Sequence, residues 1–314
     1  MRASLLLAGV AGALVWAPAA CAQDSAPDGP LPLELFAYDR AAPLDVLLGP
    51  AGTRDGVETR AVSFASPRGG RATGLLFVPQ GRGPFAGIVL QHGMPGTAAR
   101  MAPHGAYLAR AGAVVLALDA PFARRDGPTT RFTEADSAEQ VQLVVDLQRA
   151  VDLLLARPDV DPARLAYVGR SYGGAMGALF AGVERRLKTY VLMVGDGGLV
   201  AHVTGPDDEG LLGRYPPAQR ERWLAAMRPI EPSRFVGRAA PATILFQSGR
   251  LDELVPVADA EAVHGAAGAA GTVMWYDAGH TLPAGAYVDQ LQWLHRTVGT
   301  RRPGSGDRDG PWGR

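Results

Sequence analysis

Apolar and polar positions first suggest a β-hairpin in the N-terminal part of the chain. The strand-like runs VETRAVSFAS and ATGLLFVP, between Val57 and Pro79, flank the turn signal Pro67-Arg68-Gly69-Gly70. Gly87 to Gln91 (GIVLQ) is then a continuous apolar run, typical of a buried parallel strand. This strand must end at the glycine-rich segment 92–96 (HGMPG), which favours neither a strand nor a helix.

Strands and helices are then predicted to alternate along the rest of the chain. The clearest helix spans Ser137 to Ala156, where apolar residues recur every three or four positions until Pro158 ends the pattern. Such alternation predicts a mostly parallel sheet with helices on both faces, the α/β class. The other predicted strands are 113–118, 165–168, 190–194, 243–247 and 272–276, and the other predicted helices are 103–111, 171–183, 257–265 and 286–298.

The segment 195–234 interrupts this alternation. It holds the loop-like stretch 205–210 (GPDDEG) and a short predicted helix around Ala218 to Met227. Because 40 residues exceed an ordinary strand connection, we expect a small lid insertion over the sheet. The aromatic residues Tyr215, Trp223 and Phe235 either line a pocket there or seal the insertion onto the sheet.

The two termini differ in composition from the middle of the chain. Residues 1–22 have the features of a signal peptide: Arg2, an apolar run, and the small-residue site Ala20-Cys21-Ala22. Cleavage there would remove the only cysteine; the alternative is a lipoprotein anchored through Cys21. Residues 299–314 are polar and rich in glycine and proline, which predicts a disordered tail. A single domain is therefore expected over 31–298.

Composition disfavours nucleic acid as a partner. The 314 residues include 31 basic and 31 acidic side chains, so the formal net charge is zero and no basic patch is evident. No later segment is long and apolar enough to suggest an integral membrane helix. The oligomeric state is not predicted.

The stretch Gly169-Arg170-Ser171-Tyr172-Gly173 matches the pattern G-x-S-x-G between a predicted strand and a predicted helix. A serine hydroxyl is a useful nucleophile only when a sharp turn exposes it beside a base. Such a turn requires neighbours without side chains, and Gly169, Gly173 and Gly174 meet that requirement. Ser171 is therefore the candidate nucleophile.

A base and an orienting carboxylate are expected to follow Ser171 in the chain. His280 lies in a loop directly after the last predicted strand, and Asp252 lies just beyond the strand 243–247. The order Ser171, Asp252, His280 is the order of α/β-hydrolase triads. The main rival acid is Asp196, after the strand 190–194. Glu253 is adjacent to Asp252, and Asp277 is close to His280 in the chain.

The tetrahedral intermediate of acyl transfer needs two preset hydrogen-bond donors for its oxyanion. The backbone N–H of Tyr172, directly after the nucleophile, is one candidate. Met94 in the loop after GIVLQ supplies the other, since Pro95 has no N–H. His92 is interpreted as a structural residue that shapes this loop, with a role as a second base as the alternative.

Together these motifs resemble the dienelactone hydrolase and acetyl xylan esterase-like group of the α/β-hydrolase superfamily, which is related to the catalytic domains of prolyl oligopeptidases. The resemblance runs from about Leu33 to Val298 and implies Ser171, Asp252 and His280 as the triad with Met94 and Tyr172 as oxyanion donors. It is carried by the segments FASPRGGRATGLLFVP, VLQHGMPG, DVDPARLAYVGRSYGG, ILFQSGRLDELVP and YDAGHTL.

Two departures from the family pattern limit the expected chemistry. Dienelactone hydrolases proper use a cysteine nucleophile, so the serine here makes lactone-ring chemistry doubtful. Arg170 replaces the histidine of many relatives; we expect it to pair with a nearby acid, with a substrate role as the alternative. No cofactor and no metal are implied, because metal-ligand spacings, a G-x-G-x-x-G after a strand and a P-loop are all missing.

The leading hypothesis is an exported serine esterase, periplasmic or secreted, that acts on small-molecule or polymer-borne esters. The second is a peptidase of the prolyl-oligopeptidase type. It is disfavoured because those relatives gate their sites with a large N-terminal propeller, and fewer than about 60 residues precede the hairpin here. The third hypothesis is a noncatalytic binding protein on the same scaffold.

Overall fold

A computed structural model of the chain describes residues 29–204 and 211–312. The predicted signal peptide, with Cys21, lies outside the described residues, as does the acidic stretch 205–210. In the described part, no helix is long and apolar enough to cross a membrane.

The described residues contain ten strands that join in one mixed sheet. The hairpin and every other predicted strand are confirmed, while the two- and three-residue strands β1 and β2 are too short for an apolar pattern to reveal them. The strands are β1 (Leu47–Leu48), β2 (Gly52–Arg54), β3 (Val57–Ala65), β4 (Arg71–Pro79), β5 (Phe85–Gln91), β6 (Ala113–Leu118), β7 (Val160–Arg170), β8 (Thr189–Met193), β9 (Thr243–Gly249) and β10 (Gly271–Tyr276).

The strand order is β1-β3-β4-β6-β5-β7-β8-β9-β10, with β2 paired to β3. From β6 to β10 all neighbouring strands are parallel, whereas β4 pairs antiparallel with β6 and β3. The parallel strands β5, β6 and β8 are almost entirely buried, which explains their unbroken apolar runs. The predicted mostly parallel sheet is therefore confirmed.

Helices cover both faces of this sheet. α2, α3 and α6 bury apolar side chains in one core, and α1 and α7 do so in a second core on the opposite face. The helices are α1 (Ala102–Arg110), α2 (Ala135–Leu155), α3 (Tyr172–Val183), α4 (Leu199–Thr204), α5 (Pro217–Met227), α6 (Val257–Ala267) and α7 (Ala284–Val298).

The strand order reverses between β5 and β7. From β5 the chain crosses to β6 on one side, and from β7 it crosses to β8 on the other. In open parallel sheets such a switch point leaves a crevice beyond the carboxyl ends of the two strands, and ligands bind there. The loop 92–96 after β5 and Ser171 after β7 both lie at this edge.

Between β8 and β9 the chain forms α4, α5 and short 3-10 turns, in the place predicted for the insertion. The predicted helix around 218–227 is confirmed as α5. Trp223 is fully buried in a small separate cluster with Phe132, Val203, Leu212 and Met227. Its indole N–H donates a hydrogen bond to Asp136 Oδ2 over 2.8 Å, which ties the segment to the start of α2.

The C-terminal segment differs from the predicted disordered tail. Arg301 donates its backbone N–H to Ala111 O and pairs with the buried carboxylate of Asp307 at 3.0 Å. The hydroxyl of Tyr107 donates to Asp307 O, and Trp312 Nε1 donates to the Tyr287 hydroxyl. The segment has little apolar surface of its own, as its composition indicated, but polar contacts to the folded body order it through residue 312.

Candidate active site

Ser171 stands at a sharp turn between β7 and α3. Its φ of 56° and ψ of −121° are rare for a residue with a side chain, a strain that is common at functional sites. Its N–H donates to Met193 O over 2.8 Å. A Cβ on Gly169 would lie 2.1 Å from Gly173 O, and one on Gly173 would lie 2.4 Å from Gln91 O. The turn therefore tolerates only glycine at both positions, as predicted.

The loop after β5 passes directly beside the serine. A Cβ on Gly93 would lie 2.9 Å from Ser171 Cβ. His92 is buried, and its Nε2 accepts the N–H of Ala120 over 3.0 Å. The proton is therefore on Nδ1, which donates to Gly93 O over 2.7 Å. Burial lowers the pKa of His92, so this neutral form is favoured. These contacts give His92 the structural role predicted for it.

Ser171, His280 and Asp252 form one continuous set of contacts. His280 Nε2 lies 2.9 Å from Ser171 Oγ, and its Nδ1 lies 2.9 and 3.1 Å from the two carboxylate oxygens of Asp252. Asp252 Oδ1 also accepts the N–H groups of Leu254 and Val255. Because these donors orient the buried carboxylate, Nδ1–H of the imidazole points to Asp252 and Nε2 is left to accept from the serine.

The structure separates the rival acids from His280. Asp196 Oδ2 instead contacts His202 Nδ1 at 3.0 Å. The side chain of Asp277 is 92% exposed and faces Arg250, and Glu253 is exposed. Asp252 alone among the four candidates contacts His280 in the described residues.

Arg170 contacts a backbone oxygen rather than the acid that was expected. Its Nη2 donates a hydrogen bond to the carbonyl O of His280 over 2.9 Å. The residue directly before Ser171 thus holds the loop that carries His280. The expectation of an acidic partner was wrong because a carbonyl acceptor on a distant loop leaves no mark in the sequence.

Met94 and Tyr172 both lie at the pocket beside Ser171. Tyr172 is the first residue of α3, and an N–H in the first turn of a helix has no intrahelical acceptor. The Met94 Sδ accepts a hydrogen bond from the Thr130 hydroxyl. The preceding residue, Gly93, is the one whose added Cβ would touch Ser171, so the loop that carries Met94 passes beside the serine.

The pocket has a volume of about 260 Å³. Its wall is mostly apolar, with Ser171 and His280 at one place and the Asp196–His202 pair at another. The remaining lining residues come from the loop after β5, from α2 and the loop before it, from α3, from the start of α4, from a turn before β9 and from the loop after β9. The three aromatic residues within or beside the insertion do not line it. Trp223 and Phe235 are fully buried, and the Tyr215 ring packs against the Phe132 ring with centroids 4.6 Å apart.

Titratable groups cluster behind the Asp196 side of the pocket. The hydrogen bond that His202 donates to Asp196 raises the pKa of His202. Burial raises the pKa of Glu231 to about 8, and that of Asp259 is also raised by burial and by Asp196. Residues 29–204 and 211–312 nevertheless contain no group of three or more His, Cys, Asp or Glu side chains that could hold a metal ion.

The fold and the site geometry define the class as an α/β-hydrolase-fold protein. An acetyl xylan esterase from Paenibacillus sp. R4 superposes with a TM-score of 0.71 at 20% identity, covering 84% of this chain and 92% of that one. Acetyl xylan esterase 1 from Thermoanaerobacterium sp. JW/SL YS485 superposes with a TM-score of 0.70 at 17% identity, covering 84% of this chain and 91% of that one. A cold-adapted esterase from an Arctic intertidal metagenomic library superposes with a TM-score of 0.58 at 16% identity, covering 80% of this chain and 99% of that one.

No protein-family model and no curated protein sequence matches the chain. At these identities the structural likeness establishes the fold. The chain thus shares the α/β-hydrolase fold of the acetyl xylan esterases, as its motifs predicted.

Proposed function

We propose that this chain is an exported serine hydrolase that cleaves carboxylic ester bonds through an acyl-enzyme intermediate. The observation that carries the proposal is the chain of contacts from Ser171 through His280 to Asp252, with the serine at a strained turn on the pocket wall. A purely structural serine would need neither the strain nor a histidine at 2.9 Å.

In the first half of the proposed reaction, Ser171 Oγ attacks the ester carbonyl carbon while His280 Nε2 takes the hydroxyl proton. Asp252 stabilises the resulting imidazolium and keeps the ring oriented. When the tetrahedral intermediate collapses, the carbon–oxygen bond to the alcohol breaks and His280 gives its proton to the departing oxygen. The acyl group is then bound to Ser171 as an ester.

In the second half, water replaces the alcohol. The water oxygen attacks the acyl carbon while His280 takes a proton from the water. The bond between the acyl carbon and Ser171 Oγ then breaks, His280 returns the proton to Ser171 Oγ, and the acid is released. In both halves the negative charge forms on the former carbonyl oxygen. We assign the N–H groups of Met94 and Tyr172 as its donors; the N-terminal position of Tyr172 in α3 adds the favourable end of a helix dipole.

Three further observations support the choice of esters and of export. The structural neighbours are named acetyl xylan esterase and esterase. The pocket of about 260 Å³ is small, which favours a short acyl or alcohol group. The features of residues 1–22 favour a periplasmic or secreted location.

The proposal is tested by steady-state hydrolysis of chromogenic esters, from acetyl to octanoyl, beside an aminoacyl anilide. We expect wild-type turnover of the short esters, little of the anilide, and a fall in kcat/KM of about 10⁴-fold or more in Ser171→Ala. Ser66→Ala, at a buried serine of the hairpin turn, is the matched control and should retain activity. Ester turnover that survives in Ser171→Ala refutes the nucleophile, and preference for the anilide supports the peptidase alternative.

A further inference from the structure

A glutamine side chain on the pocket wall is not accounted for by the proposed reaction. Gln140 lies in α2 and is only 3% exposed, yet it lines the same pocket as Ser171 and His280. A carboxamide offers two N–H donors and an acceptor oxygen, and buried polar groups of this kind are almost always hydrogen-bonded.

The Gln140 carboxamide has no hydrogen-bond partner within residues 29–204 and 211–312, and it differs from other buried glutamines of the chain. Both amide atoms of Gln91 and the Oε1 of Gln148 are inaccessible to solvent and have no hydrogen-bond partner. The amide atoms of Gln140 are not among these inaccessible atoms. Since the residue is 3% exposed and lines the pocket, the pocket is where these atoms are open.

A second neutral polar group lines the same pocket. Tyr172 is 9% exposed and lines the pocket, and no hydrogen bond to its hydroxyl is found in the described part of the chain. Burial raises the pKa of Tyr172, and the nearby carboxylates of Glu139 and Asp136 raise it further, so the hydroxyl stays protonated. Tyr172 is the first residue of α3, which packs against α2, the helix that carries Gln140.

We propose that the Gln140 carboxamide, with the Tyr172 hydroxyl, is a specificity determinant that binds a hydroxyl group carried by the ester substrate. The inference rests on the proposed esterase function. A hydroxyl both donates and accepts, as do the carboxamide and the phenol, so each can be satisfied. Neither group carries a charge. The Asp196 and His202 side chains, which also line the pocket, are hydrogen-bonded to each other.

Two polar groups of this kind distinguish esters with a hydroxyl group from esters without one, because leaving the groups without hydrogen-bond partners costs binding free energy. An ester with a plain alkyl group displaces water from the pocket and offers no partner, so the carboxamide loses its hydrogen bonds. Sites that hydrogen-bond a substrate hydroxyl disfavour the analogue without it far more strongly than apolar pockets disfavour a missing methylene. The hydroxyl could belong to the alcohol part or to the acyl part of the ester.

Two pairs of matched esters separate these sources. Glycerol 1-acetate against propyl acetate tests a hydroxyl on the alcohol part, and propyl glycolate against propyl propanoate tests one on the acyl part. For each pair, kcat/KM for the hydroxyl-bearing ester is divided by kcat/KM for the plain ester. This ratio is measured in the wild type and in Gln140→Leu. Because the variant is compared with the wild type on the same pair, differences in intrinsic ester reactivity cancel.

We expect Gln140→Leu to lower the ratio for one of the pairs by about 10- to 100-fold, and Tyr172→Phe to lower the same ratio by a smaller factor. Gln148→Leu is the matched control, since it makes the same change in the same helix at a position that does not line the pocket. It should leave both ratios unchanged. Gln140→Met serves as a second variant if thermal melting shows that the leucine variant is unfolded.

Ratios that agree within about twofold between the wild type and Gln140→Leu or Gln140→Met, for both pairs, overturn the assignment of Gln140. That outcome leaves the esterase proposal intact as long as the wild type hydrolyses the plain esters. If the wild type hydrolyses no member of either pair and no chromogenic ester, the esterase proposal itself fails.

Discussion

Single hydrogen bonds decide the geometry around His280. Asp252 accepts a hydrogen bond from Nδ1 of the His280 ring. Arg170 donates a hydrogen bond to the backbone carbonyl oxygen of His280. Arg170 directly precedes Ser171, so one guanidinium links the strand that carries the serine to the loop that carries the histidine. We therefore regard Arg170 as a positioning residue, because it contacts neither the serine hydroxyl nor the imidazole nitrogens.

Arg170→Leu is expected to lower kcat for a short chromogenic ester by about 10- to 100-fold with little change in KM, because displacing a reacting group by about 1 Å costs rate of that order. Arg170→Lys should restore part of the loss, since the ammonium can still donate to the carbonyl. Steady-state kinetics of both variants, with Arg60→Leu on the distant strand β3 as control, measures the effect. An unchanged kcat in Arg170→Leu would contradict the positioning role, and so would a change confined to KM.

At the scale of elements, the junction of β5, β7 and α3 is too close-packed for side chains on its glycines. The backbone of Gly173 faces the carbonyl groups of Gln91 and His92, the last residue of β5 and the first of the loop that follows it. These contacts hold the candidate oxyanion loop against the start of α3. By contrast, a Cβ on Gly265 in α6 would have no heavy atom within 4 Å apart from the backbone of its own helix and its chain neighbours.

These two glycines predict opposite effects of the same substitution. Gly173→Ala should destabilise the protein by more than about 2 kcal/mol and abolish ester hydrolysis, because the new methyl group meets backbone oxygens that cannot move independently. Gly265→Ala should stabilise it by about 0.5–1 kcal/mol, since alanine favours the helix and nothing obstructs it. Urea unfolding followed by tryptophan fluorescence measures both. A Gly173→Ala protein with wild-type stability and activity would show that the turn is looser than described.

At the scale of the whole molecule, one buried carboxyl group couples folding to pH. Glu231 Oε1 accepts the N–H groups of Val200 and Ala201 at the start of α4, while its Oε2 is buried without a partner in the described residues. Burial raises its pKa from 4.5 to about 8. Between these values the folded protein holds a proton that the unfolded chain has lost. The contribution of this group to stability is therefore complete below about pH 4.5 and is lost as the pH rises to about 8.

Glu231→Gln is expected to remove this dependence, because the amide stays neutral and its oxygen can still accept both N–H groups. At pH 8 the variant should exceed the wild type in free energy of unfolding by at least about 1 kcal/mol, and the difference should vanish near pH 4.5. Urea unfolding across this pH range measures it. The control is Glu221→Gln at an exposed position of α5, which should follow the wild-type profile. Parallel profiles for Glu231→Gln and the wild type would show that Glu231 is ionised in the folded state.

The amino-acid sequence by itself determined the features that depend on local pattern. Apolar runs and helical spacing predicted the hairpin, the parallel strands and the main helices within a few residues of their bounds. The glycines around Ser171 predicted the sharp turn, because only a residue without Cβ fits such a close approach. The order of serine, acid and histidine, each just beyond a strand, predicted Ser171, Asp252 and His280 as one set.

The tertiary structure decided which groups meet across distant loops. Asp252 rather than Asp196 contacts His280, since β9 and β10 are neighbours and the loops after them are joined by backbone hydrogen bonds from Arg250 and Leu251. Arg170 binds a carbonyl oxygen and the C-terminal segment orders itself on polar contacts, and neither produces a hydrophobic pattern. The open amide of Gln140 depends on what surrounds one turn of α2. Such contacts join residues far apart in the chain, so no local spacing encodes them.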